Sequence, residues 1–139
     1  MKKDAMISIK GIQRVDGEQE VVELLTCGRF YRRNNSYWLS YQESEATGFE
    51  GARTTLTCEQ GRVTMTRTGS VHTQLIIEEG KRHQCSYDLG FGSMIIGVSC
   101  SHIQSTLDDN GGSLSFGYSL DLNTALTSEH QVTVSVTPN

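Results

Sequence analysis

The amino-acid sequence predicts an all-β protein. The expected architecture is a single antiparallel up-and-down β-barrel, with a two-sheet β-sandwich as the alternative. Three observations carry this. Apolar and polar residues alternate with period two from end to end, and no window holds a convincing helical period. Short Asn-, Gly- and Asp-containing turn signals separate the alternating segments. The only proline, Pro138, stands at the end of the chain, so none interrupts a ladder of hydrogen bonds.

The segments follow in order. Ile7 and Ile9 alternate with Ser8 and Lys10. Leu24, Thr26, Gly28 and Phe30 alternate with Leu25, Cys27, Arg29 and Tyr31, a strand either covered on both faces or bulged at Gly28. Tyr37, Leu39 and Tyr41 share one face, as do Thr54, Leu56 and Cys58, then Val63 and Met65, then Val71, Thr73, Leu75 and Ile77. Met94, Ile96 and Val98 begin a stretch that forms one long strand or two. Leu114, Phe116, Tyr118, Leu120 and Leu122 follow, and Val132, Val134 and Val136 come last. Turns are expected at 34–35, 59–61, 68–70, 78–81 and 108–112. Consecutive hairpins with one apolar face make a meander, and closing a long meander removes its exposed edges.

The chain has 139 residues, the size of one domain spanning 1–139, and a formal net charge of -4. Acidic balance argues against nucleic acid and anionic membranes as partners, since both call for a basic face. No apolar run approaches a membrane span, and "MKKDAMISIKGIQ" lacks the apolar core of a signal peptide. A cytoplasmic location is expected. The four cysteines, Cys27, Cys58, Cys85 and Cys100, form no C-x-x-C pair and read as free thiols.

The stretch "YWLSYQESEATGFEGARTTL", Tyr37 to Leu56, holds the most suggestive chemistry. Period two carries the Tyr37, Leu39, Tyr41 face onward to Glu43, which should point inward where the strand stops. Arg67 continues the inward face of Val63 and Met65 to the same rim. An inward acid and base at one rim are expected partners, because a lone buried charge costs several kcal/mol. Such a pair either plugs a filled barrel or anchors the polar part of a ligand in its mouth. Candidate ligand-binding residues are Glu43, Arg67, Tyr41, Tyr37 and Thr54. Glu45 and Glu50 read as solvated loop acids.

These segments carry a family resemblance. The Tyr37–Leu56 stretch, "VTMTRTGS", "YDLGFGSMIIGV" and "LDDNGGSLSFGYSLDLN" resemble the YwiB-like family of small bacterial β-barrel proteins over nearly the whole chain. The most specific parts are the Tyr/Glu/Thr-Gly/Glu-Gly/Thr bend and the Arg67-Thr68-Gly69 triplet. This chain has Leu89-Gly90 where the family commonly carries Thr-Pro. The resemblance implies a calycin- or lipocalin-like barrel and brings no established activity, cofactor or catalytic residue.

Other constellations weigh less. "HQC" at 83–85 and "CSH" at 100–102 each place a His and a Cys on one strand face. A symmetric hairpin would bring His83, Cys85, Cys100 and His102 together, but the spacing is not that of structural zinc, and no metal or cofactor is expected. No nucleophile motif occurs, and a hydrolase using the acidic lip ranks last among the functions. Tyr31 and Trp38 should lie on the outer face as a candidate surface for a protein partner or a second copy. A non-enzymatic binder of a small, partly apolar ligand is the leading expectation, ahead of a filled barrel acting as an interaction module.

Overall fold

The structure is a computed structural model that describes residues 3–88 and 92–139. The strands are β1 (Lys3–Val15), β2 (Glu18–Arg33), β3 (Ser36–Gln42), β4 (Ala52–Glu59), β5 (Arg62–Gly69), β6 (His72–Glu78), β7 (Arg82–Asp88), β8 (Ser93–Ser105), β9 (Gly112–Leu122) and β10 (Ala125–Pro138). Each pairs antiparallel with the next, and β10 pairs with β1, so the meander closes into a ten-stranded barrel. Lipocalin barrels have eight strands.

The tight turns follow from residues that tolerate positive φ. Asp16 and Gly17 (φ 51° and 79°) join β1 to β2, the Asp-Gly signature of a hairpin whose twist matches its strands. Gly28 is not a bulge: the register runs through it unbroken on both sides. A side chain there would collide with the Ser40 carbonyl oxygen and the Ile7 side chain, so only glycine allows the strands to close this tightly. Residues 93–105 form one strand, with a register shift between Cys100 and His102.

One half of the interior is filled. Ile7, Phe30, Leu39, Val63, Ile77, Leu114, Phe116 and Val134 are fully buried in it. The connection 106–111 closes this end: Asp109 accepts from the Tyr37 hydroxyl at 3.1 Å and lies 3.6 Å from Arg32. At the opposite end, the connections at 16–17, 43–51, 70–71 and 123–124 surround a mouth.

The seam between β6 and β7 is the thinnest. Among the described residues only His72 with Asp88 and Thr73 with Tyr87 are paired, and farther along the Ile76 amide donates to the Cys85 sulfur at 3.5 Å. β7 is held instead by β8, and by Arg82, which crosses β8 to make a bidentate pair with Asp121 on β9 at 3.0 and 2.6 Å. Gly97 lies beneath this clamp and leaves it room.

Candidate functional site in the barrel mouth

Cross-strand register builds a polar belt just inside the mouth. Tyr41 pairs with Thr54, Thr54 with Arg67, Arg67 with Thr73, and Thr73 with Tyr87, so one inward position on each of five neighbouring strands carries a polar group. Glu43 sits one step above. Its amide donates to the Ala52 carbonyl at 2.9 Å, which extends the β3–β4 pairing past the end of β3.

The chain then makes a 3₁₀ turn, Glu45–Thr47, capped by the Ser44 side chain accepting from the Ala46 amide at 3.1 Å. Gly48, at φ 85°, ends the turn. This bend leans Phe49 over the mouth, where the Arg67 guanidinium lies 4.1 Å from its ring centre.

Arg67 Nε donates to Glu43 Oε2 at 3.2 Å, and the Thr54 hydroxyl donates to the same oxygen at 2.6 Å. The Glu43 side chain is 2% exposed and that of Arg67 13%. Facing them across the barrel are Tyr118 and His130, stacked with ring centres 4.7 Å apart and planes 6° from parallel. His130 Nε2 is 2.8 Å from the Ser128 hydroxyl.

Burial raises the Tyr41 phenol above its ordinary pKa, helped by the charge of Glu43, and burial pushes Tyr118 up to about 12. Burial, then the Arg67 charge, lowers His130 to about 4. At neutral pH the belt therefore carries protonated phenols and a neutral imidazole.

A cavity of about 420 Å³ spans the belt and reaches below it, open at the mouth and walled by Ile9, Leu24, Leu56, Met65, Ile96 and Val132 among others. Tyr41, Glu43 and Arg67 line it, and Thr54 stands fully buried behind Glu43. Tyr37 does not belong to it. Period two puts Tyr37 on the Tyr41 face, but four residues of strand, about 13 Å, separate the two, and Tyr37 lies at the filled end. There it borders a separate surface depression of about 230 Å³ with Lys3, Phe30, Arg32 and Asp109.

Tyr31 and Trp38 are paired on the outer face, stacked at 5.8 Å, with Arg33 over the Trp38 ring at 5.4 Å. Glu45 and Glu50 are exposed, leaving Glu43 as the inward carboxylate of the lip.

The hypothetical zinc hairpin does not form. Cys85 pairs with Ile96 and His83 with Val98. The bulge at Ser101 sends His102 to the face opposite Cys100, so the two no longer share a side. His83 instead contacts Glu78 at 2.9 Å. Among the described residues no three metal-ligating side chains come together.

Residues 7–134 match a family described as a domain of unknown function, DUF1934. The chain belongs to this family. The uncharacterized β-barrel protein YwiB of Bacillus subtilis is 29% identical over 137 residues, covering 97% of this chain and 95% of YwiB. The crystal structure of YwiB superposes with a TM-score of 0.86 at 26% identity, over 99% of this chain and 93% of that one. The ten-stranded ring thus agrees with a solved barrel. The Leu89-Gly90 departure from the family pattern lies outside the described residues. No described helix is long and apolar enough to cross a membrane.

Tyr87, Tyr118, Ser128, His130 and Phe49 join the site without having been singled out from the sequence. The parity of Val132, Val134 and Val136 extends backward to His130 and would have placed it inside.

Proposed function

We propose that the protein is a non-enzymatic, calycin-like binder of a small, partly apolar molecule held in the mouth half of its barrel, acting in the cytoplasm. One observation supports this above the filled-barrel alternative. The core is packed at one end and hollow at the other, and the hollow end is the one with a polar belt. A cavity of about 420 Å³ falls within the range of small-molecule sites, which are typically apolar with a few convergent polar groups. Barrel folds serve many functions, so the reading rests on the site and not on the architecture. The cytoplasmic placement is supported by four free cysteines.

Native mass spectrometry of protein purified from its own host tests the reading. The expected result is a retained non-covalent molecule, lost from a Leu120→Trp variant whose larger side chain intrudes on the cavity. Wild-type protein that always shows its bare mass, together with a Leu120→Trp variant of higher stability, would count against a ligand.

A further inference from the structure

Among the described residues that line the cavity, Arg67 is the one Lys or Arg, and its free donors specify the ligand. Glu43 Oε2 already accepts from Thr54 and from Arg67 Nε. Among the described residues, Arg67 has a hydrogen-bond partner only at Nε, and its side chain borders the cavity. The two terminal nitrogens of its guanidinium remain as a planar fork of donors. The Phe49 ring, its centre 4.1 Å from the guanidinium carbon, covers one side of that fork, and the Glu43 bond fixes its direction. Tyr118, also a cavity-lining residue, adds a phenolic hydroxyl on the facing wall.

We propose that the occupant is an anionic amphiphile: one carboxylate seated on the free edge of Arg67, and an apolar body lying against Leu56, Met65, Ile96 and Val132. This rests on the cavity-binding reading above. A guanidinium edge and a carboxylate match as two parallel charge-assisted hydrogen bonds, which a hydroxyl cannot reproduce. A cationic head fits poorly on two counts. It would meet the arginine charge, and the carboxylate that could receive it, though it borders the cavity, is 2% exposed and already accepts from Arg67 and Thr54 through Oε2. Glu43 cancels part of the arginine charge, yet it also holds the guanidinium in place before the ligand arrives, which lowers the ordering cost of binding.

The test is displacement of a neutral apolar fluorophore, N-phenyl-1-naphthylamine, by decanoate, decan-1-ol and decylammonium below their micellar concentrations at pH 7. Decanoate should bind about tenfold or more tighter than the alcohol, the worth of a charge-assisted pair over a neutral bond. Decylammonium should be weakest. Arg67→Met should bring decanoate to within about twofold of the alcohol, by weakening decanoate far more than the alcohol. The double variant Glu43→Gln/Arg67→Met serves the same purpose should the single one fail to fold. Tyr118→Phe should weaken decanoate alone.

Two results would overturn the ligand class while leaving cavity binding intact: an alcohol that competes as well as decanoate, or decanoate binding that survives loss of Arg67. If neither the fluorophore nor any competitor binds the folded protein, the cavity-binding reading itself falls.

Discussion

Consider the double-mutant cycle at Glu43 and Arg67. Oε2 and Nε are 3.2 Å apart and both side chains are withdrawn from water. At an effective dielectric of ~20 the gross attraction is about 5 kcal/mol, and most of it is offset by desolvation of the two charges. Removing one partner forfeits the attraction but leaves the desolvation cost of the other. Arg67→Met leaves Glu43 with the Thr54 hydroxyl as its remaining bond and should destabilise by about 3–5 kcal/mol. Glu43→Gln is milder, about 1–3 kcal/mol, because Arg67 keeps its contact with Phe49 and can turn toward the open mouth. The double variant should cost less than the sum by about 1–3 kcal/mol, because neither charge is then stranded. Urea melts at pH 7 read all of these, with the exposed residues as controls: Glu45→Gln and Glu50→Gln should stay within about 0.5 kcal/mol of wild type. Additive losses at 43 and 67 would refute the reasoning, since two buried charges in contact cannot act independently.

Other consequences follow from the same geometry. Between about pH 4 and 6.5 an unfolded chain protonates His130 while the folded protein keeps it neutral, so stability should fall as pH falls through that window. The loss is about 1–3 kcal/mol, and His130→Gln should flatten that part of a stability-against-pH curve. Gly97→Ala should lower the melting temperature by displacing the Arg82–Asp121 clamp, and it should do so far less in an Arg82→Ala background. Amides of β6 that face β7, Ile76 among them, should exchange with deuterium faster than those of the fully laddered β1–β2 pair, as read by hydrogen-exchange NMR.

Period two made most of the strands legible, because one face of each must be apolar. It also made the inward direction of Glu43 and Arg67 legible, since parity survives to the last residue of a strand. Parity does not give height, and that is why Tyr37 was grouped with Tyr41 although it sits at the filled end. Register between strands is set by turn geometry. The turn at Asn123 and Thr124, both at positive φ, carries no glycine and gave no warning of the β9–β10 hairpin. Without that hairpin, Tyr118 and His130 could not be placed opposite Arg67. The bulge at Ser101 was likewise invisible, and it alone decides that Cys100 and His102 face apart. Whether a barrel is hollow depends on how side chains from ten strands meet, which no single segment records.

The proposed ligand cavity occupies the mouth half of the barrel, and the other half is packed core. Methyl NMR during a decanoate titration tests it most directly. Shifts are expected at Met65, Ile96, Leu120 and Val132, which border the cavity, and none at Val63, Ile77 and Leu114 in the packed half. Shifts confined to the exposed Leu25, Ile95 and Leu126, or no shifts at any concentration below the micellar limit, would contradict it.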